Sequence, residues 1–250
     1  MKNYSTENIR NIVLLGHGNS GKTTLAEAMA YVSGLTKRQG NITDGNTISD
    51  FDKEEIKRKF SISTSLIPIE WNNNKFNILD TPGYFDFVGE AKQAVRVADA
   101  AIIVVSGRSG VEVGAEKAWE YADEMNIAKA IYVSGMDDEH ANLNKILEDL
   151  KAAFGKAIAP IQVPIYENEK FVGFVNVAKM EARRFVNNKV ETAPIPEGMD
   201  ELIAPAREMI LEAVAETDEA LMEKYFSGEE FSLEEIQTAI HKGVIDRTLV

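Results

Sequence analysis

Short apolar runs alternate with longer mixed stretches over the first part of the chain. "IVLL" at 12–15 and "AAIIVV" at 100–105 have the length and composition of buried strands. Further strands are predicted near 61–70, 75–80, 129–133 and 161–165, and helices near 22–32, 88–97, 112–125 and 141–153. Strand and helix alternate, which implies a mostly parallel sheet with helices packed on both sides, an α/β fold. Asn72, Asn73 and Asn74 break two strand-like runs, so 61–70 and 75–80 are expected to pair as an antiparallel hairpin at one sheet edge. Past residue 165 the pattern changes. Short strands near 171–177 and 180–186 lead through the turn-rich "APIPEG" to acidic helices near 198–215, 217–226 and 232–241. The chain is therefore expected to hold an α/β domain at 1–160 and a small α+β subdomain at 161–248.

A length of 250 residues allows one large core, or one core with an appended subdomain. The apolar runs fall well short of the ~18 residues that a spanning helix needs, and the N-terminal "MKNYSTENIRN" is polar. No membrane partner is expected, and the expected compartment is the cytoplasm. The absence of cysteine excludes disulfides, thiolate catalysis and cysteine-ligated zinc. His17, His140 and His241 lie too far apart in sequence to suggest a metal cluster. With 27 basic against 40 acidic residues the formal charge is −13, which repels naked nucleic acid unless basic residues gather on one face. The one basic cluster worth naming, "KRK" at 57–59, reads most simply as a solvated helix face.

Candidate chemistry enters at "GHGNSGKTT", residues 16–24. Gly16, Gly21, Lys22 and Thr23 fit GxxxxGK[ST] directly after an apolar strand and directly before a helical pattern, the context the motif requires. Glycines let backbone N–H groups converge on an anion at a helix N-terminus, Lys22 reaches the terminal phosphates, and the Thr23 hydroxyl binds Mg²⁺. The loop residues Gly16, His17, Gly18, Asn19, Ser20, Gly21, Lys22, Thr23 and Thr24 are thus the candidate site for a nucleoside triphosphate. A second motif, "DTPG" at 80–83, follows the strand "KFNIL". Asp80 can meet the metal through water, and the Gly83 N–H can donate to a γ-phosphate and swing away when it leaves, which favours a GTPase switch over a generic ATPase. Between the motifs, "TISDFDKEEIKRKFSISTS" is long and polar enough for a mobile switch. Ser61 in it is either a second hydroxyl for Mg²⁺ or a surface serine opening a strand.

Taken together, these segments resemble the N-terminal part of the translation elongation factor G family. The phosphate loop with His17, "SDFDKEEIKRKFSISTS", "DTPGYFDFVGEAKQAVRVADAAIIVV", "GVEVGAEKAWEYA" and "PIQVPIYENEKFVGFVNV" follow the family's order and approximate spacing through essentially the whole chain. The resemblance implies a P-loop GTPase domain whose inserted α+β subdomain begins after "PIQVPI", with GTP or GDP and Mg²⁺ as ligands. It implies the ribosome as partner, and at 166–248 a surface for the stalk protein of the large subunit, although an acidic amphipathic scaffold explains those helices equally. It also implies a fragment of a longer factor, because the family's next strand and base-contacting loop would follow the last residue here.

Departures from the family are informative. The guanine-reading Asn-Lys-x-Asp stands as "SGMD", leaving Asp137 to hydrogen-bond guanine without the asparagine contact or the lysine stem over the ring. The other reading of Asp137 is a capping carboxylate ahead of "HANLNKILEDL". Tyr84 stands where the family places the histidine that positions the attacking water, and Gly18 and Phe60 stand where it places two aliphatic residues. Gly18 vacates volume that Tyr84 and Phe60 can fill; alternatively, Tyr84 and Phe85 pack against the switch helix. Asn19 offers an amide oxygen to a K⁺ ion beside the phosphates. The catalytic candidates are accordingly Lys22, Gly83 and Tyr84, and the metal candidates Thr23, Ser61 and Asp80. Two functions remain open at this level: a GTPase that is slow alone and faster on its partner, or a binding module whose triphosphate site has decayed and does not turn over.

Overall fold

The computed structural model describes residues 2–186 and 189–250. The chain forms two compact units, residues 1–106 with 112–134, and residues 107–111 with 135–250. Compactness thus divides the chain before the 160/161 boundary read from the sequence.

In the first unit the strands are β1 (Ile9–Gly16), β2 (Ser65–Trp71), β3 (Asn74–Asp80), β4 (Ala100–Ser106) and β5 (Ala128–Ser134). They form one five-stranded sheet in the order β2-β3-β1-β4-β5, parallel except for the edge strand β2. The expected hairpin is present: β2 and β3 pair antiparallel, with Asn72 and Asn73 at φ 46° and 61°, a backbone that asparagine tolerates. The helices are α1 (Lys22–Val32), α2 (Lys53–Arg58), α3 (Val88–Val95) and α4 (Val113–Glu124). Because side chains alternate along a strand, Leu14 of β1 faces Ala26 and Ala30 of α1 together with Ile67, Ile69 and Ile78. Val13 and Leu15 project from the opposite face and are equally buried.

The second unit holds α5 (Leu143–Phe154) and an antiparallel sheet of β6 (Gln162–Glu167), β7 (Lys170–Asn176), β8 (Glu181–Val186) and β9 (Lys189–Ala193), in chain order. Three helices follow, α6 (Asp200–Ala215), α7 (Glu219–Ser227) and α8 (Leu233–Ile245). Ile203, Ala206, Ile210, Ala213 and Val214 of α6 are buried, as are Val163, Ile165 and Val175 in the sheet.

Four details depart from the sequence reading. The strand near 161–165, grouped with the parallel sheet, is β6 and pairs antiparallel with β7. Strand β9, "KVETA", has no counterpart in the sequence prediction because its residues are mostly exposed and show no apolar alternation. The strand expected from 61 starts at Ser65, because the intervening N–H groups bond to carboxylates instead of a neighbouring strand: those of Ile62 and Ser63 donate to Glu55 at 2.9 and 3.1 Å, and that of Thr64 to Glu90 at 2.8 Å. The polar switch also contains α2, held by a reciprocal cap between Asp52 and Glu55.

The buried Glu55 carboxylate therefore latches residues 62–63 to α2. Glu55→Ala is predicted to raise the rate of tryptic cleavage at Lys57, Arg58 and Lys59 by about tenfold or more while sheet hydrogen exchange stays protected, since charge-assisted bonds contribute about 1.5–3 kcal/mol each. Unchanged cleavage would contradict the latch.

Candidate nucleotide-binding site

Parallel pairing of β1 with β3 sets Leu14 opposite Asp80, so the two strands end side by side and their following loops meet. Thr81 fastens them further, its hydroxyl donating to the Leu14 carbonyl at 2.6 Å. Beyond β1 the chain turns through residues 17–21, with Gly21 in the left-handed region at φ 95°, and enters α1. The Lys22 ammonium folds back over this loop and donates to the carbonyls of Gly16 at 3.1 Å and His17 at 2.7 Å. Burial pushes its pKa down to about 8, against the opposing pull of Asp80, Asp50 and Glu112.

The three residues proposed for the metal meet here. Thr23 donates its hydroxyl proton to Asp80 at 2.9 Å, which leaves Ser61 as the donor in the 3.2 Å contact between the Thr23 and Ser61 hydroxyls. Ser61 is therefore not a free surface serine. Asp80 is fully buried, and burial raises its pKa to about 6 against the Thr23 hydrogen bond and the Lys22 charge. Among the described residues its Oδ1 has no hydrogen-bond partner, and neither does Oδ2 of the buried Asp50. Two hydroxyls and two carboxylates with orphaned oxygens form a hard-donor set that fits a Mg²⁺ ion with its waters.

Asp50, which lines the same cavity as Thr23 and Ser61, is not among the metal candidates that the sequence motifs single out. The readable signal was the capping acid Asp52 two residues on, which starts α2 and leaves Asp50 free of that task. Asp50 is held inward because the preceding segment is drawn onto α1. The buried Glu27 of α1 accepts the N–H groups of Gly40 and Ile48 at 2.8 and 2.5 Å.

Tyr84 lies across the phosphate loop. A Cβ added at Gly18 would meet the Tyr84 ring at 3.0 Å, so the ring occupies the space that a larger residue 18 would need. Phe60 packs against the same ring with centroids 4.8 Å apart, and the phenol oxygen accepts from the Asn19 amide at 3.1 Å. The exchange of volume expected between residues 18, 60 and 84 is thus realised. Phe85 instead is half-exposed and meets the His17 ring edge-on at 6.1 Å. Gly83 sits tightly: a Cβ there would run into the Lys22 ammonium, and would meet the His17 carbonyl at 2.6 Å and the Gly18 N–H at 2.7 Å. Any side chain at 83 would displace the lysine.

The remaining candidates divide. The Ser20 carbonyl accepts from Ser134 at the end of β5, at 2.6 Å, which ties the loop to a third strand. His17 faces Glu112 at 3.6 Å. Thr24 lies exposed on the first turn of α1. Asp137 is exposed in the second unit, where the neighbouring Met136 carbonyl accepts the Tyr166 hydroxyl at 2.5 Å. Its alternative reading as a helix cap is corrected, because Asn142 caps α5 by accepting from the Lys145 N–H at 3.1 Å.

A strand–loop–helix phosphate cradle, an acid at the end of the adjacent strand and a latched switch between them define a P-loop nucleotide-binding domain. The chain matches the elongation factor Tu GTP-binding domain family over residues 7–240 and belongs to that family, a GTP-binding domain of the translation-factor type. It is also similar to the crystal structure of a protein from Thermus thermophilus, with a TM-score of 0.87 and 38% identity over 96% of this chain. The match covers 36% of that protein, so the present chain spans little more than a third of its length. Among the described residues no helix is long and apolar enough to cross a membrane.

Because the buried Lys22 releases its proton near pH 8, a bound phosphate should restore it. At pH 8.5, binding of GDP is predicted to take up a measurable fraction of a proton, so affinity falls as pH rises past 8. Calorimetry in buffers of different ionisation enthalpy measures this. Lys22→Arg should take up none, and a parent that takes up none would contradict the assignment.

Proposed function

We propose that this chain is the GTP-hydrolysing module of a ribosome-associated translation factor resembling elongation factor G, slow alone and faster on its partner. The observation that carries the reading is the bonded set Thr23, Ser61 and Asp80 beside Lys22 and Gly83, which brings the metal and phosphate groups of two distant motifs together. A decayed site would not be expected to keep all of them.

In the proposed cycle the triphosphate lies on the loop 16–24 at the N-terminus of α1, where unpaired N–H groups and the helix dipole favour an anion. Lys22 exchanges its two carbonyl partners for phosphate oxygens, and Gly83 donates its N–H to the γ-phosphate. When bound, Mg²⁺ neutralises charge on the phosphates, and Thr23, Ser61, Asp80 and Asp50 are the residues that would hold it and its waters. Water attacks the γ-phosphorus, the bond to the β-phosphate oxygen breaks, and GDP and phosphate leave with the water's proton on the phosphate side.

Slow turnover follows from Tyr84. Its ring is fixed by Gly18 and Phe60 and its oxygen by Asn19, so packing sets the phenol's position, not the attacking water. A positioning group misplaced by about 1 Å costs on the order of a hundredfold in rate. Asn19 uses its amide nitrogen on Tyr84, which leaves its oxygen as the ligand for a K⁺ ion beside the phosphates. The ribosome, reached partly through the stalk protein at 166–248, is the proposed accelerator.

Single-turnover hydrolysis by the chain alone is predicted on the order of 10⁻⁴ s⁻¹ or slower, the range of unassisted GTPases. The rate should be higher in KCl than in NaCl and should rise with added ribosomes. Tyr84→His combined with Gly18→Ile and Phe60→Ile should outpace Tyr84→His alone. Brisk turnover by the unmodified chain without any partner would overturn the reading.

Guanine selectivity is assigned to Asp137 from its place in "SGMD". Asp137→Ala is predicted to remove any preference for GTP over ATP in competition binding. A variant that discriminates as well as the parent would show that Asp137 does not read the base.

A further inference from the structure

The basic run 57–59 does not behave as one surface. Lys57 and Arg58 end α2 and are exposed, and Arg58 bonds to Glu54 one turn back at 3.1 Å. Lys59 is different. Its backbone is left-handed at φ 61°, a helix-ending conformation in which glycine is usual because a Cβ crowds the adjacent carbonyl. The turn itself therefore gives no reason for a lysine.

The reversal at Lys59 takes the chain off the helix and into the site. Lys59 lines the small cavity also formed by Gly18, Lys22, Thr23, Gly83 and Tyr84. The residues after it are fixed against the phosphate loop: Phe60 packs on Tyr84, the Ser61 hydroxyl contacts Thr23, and the N–H groups of Ile62 and Ser63 are held by Glu55. A four-carbon stem rooted two residues from Ser61 has the reach and freedom to follow a ligand there. Among the described residues the Lys59 ammonium has neither an ion-pair nor a side-chain hydrogen-bond partner. It is an unclaimed cation at the mouth of a phosphate cradle, in a chain of net charge −13 whose other cation lining that cavity is Lys22.

We propose that Lys59 contacts the terminal phosphate of the bound nucleotide and makes the site prefer a triphosphate over a diphosphate. This rests on the GTP-binding reading above. The switch segment, latched by Glu55, would carry the cation to the phosphate in cis, a placement that elsewhere offsets charge on a transferring phosphoryl group. It would contribute in a site where residue 84 offers a phenol and not a cation.

The test is calorimetric titration of the chain with Mg²⁺ and either GDP or the non-hydrolysable β,γ-imido analogue of GTP. Lys59→Gly should weaken the analogue about tenfold and leave GDP within about twofold, as expected for loss of one charge-assisted contact. Its melting temperature should equal or exceed the parent's, because glycine suits the left-handed backbone. Lys59→Gln, with similar reach and no charge, should bind like Lys59→Gly, and Lys59→Arg should keep the preference. An unchanged analogue-to-GDP ratio in Lys59→Gly, or equal weakening of both ligands, would overturn the proposal and leave the GTP-binding reading standing. A parent that binds neither nucleotide would overturn both.

Discussion

The hydrogen bond from Thr23 to Asp80, 2.9 Å long and fully buried, is the contact on which the site depends. It joins the first turn of α1 to the end of β3 across 57 residues of chain, and it exists because the parallel register sets Leu14 opposite Asp80. Everything placed around it inherits that register. Lys22 is the residue before Thr23, Gly83 follows Asp80 by three residues, and Ser61 closes the group from the switch side. The bond is also incomplete. Among the described residues Asp80 keeps an orphaned oxygen, and burial raises its pKa to about 6, so the site disfavours the carboxylate's charge unless a cation offsets it. On the metal-binding reading proposed above, a divalent ion would relieve that imbalance and so couple the fold to its ligand.

The segment between the two motifs is organised by carboxylates that capture backbone N–H groups. Glu27 takes Gly40 and Ile48, Glu55 takes Ile62 and Ser63, and Glu90 takes Thr64. A strand ladder would have fixed this segment cooperatively; separate clamps can be released one at a time. Such construction suits a switch, because releasing these clamps would break none of the sheet's own hydrogen bonds. The aromatic layer of Phe60 and Tyr84 closes the same side, with Gly18 supplying the space.

Much of this was legible before the structure. The strand–GxxxxGKT–helix context located the phosphate loop, and "DTPG" after an apolar strand located the partner acid, because both signals are local and have strong flanks. The exchange among Gly18, Phe60 and Tyr84 was readable as a volume argument. Illegible features share a cause, which is that their chemistry depends on remote partners. Residues 61–64 look like the start of a strand, yet the N–H groups of Ile62, Ser63 and Thr64 go to Glu55 and Glu90. Asp50 resembles any acid in a polar loop until Glu27 draws its segment inward. Strand β9 carries no apolar alternation to betray it. The cap formed by Asp52 and Glu55 was available in the sequence and would have revealed α2.

The central claim, that Thr23, Ser61 and Asp80 hold the metal of a metal–triphosphate pair, is tested most directly by measuring affinity for a non-hydrolysable GTP analogue in Mg²⁺ and in EDTA. The parent should bind at least about tenfold more tightly with Mg²⁺, and Asp80→Ala and Ser61→Ala should each shrink that ratio while leaving the EDTA affinity nearly unchanged. A ratio of one in the parent, or a full metal effect in Asp80→Ala, would contradict it.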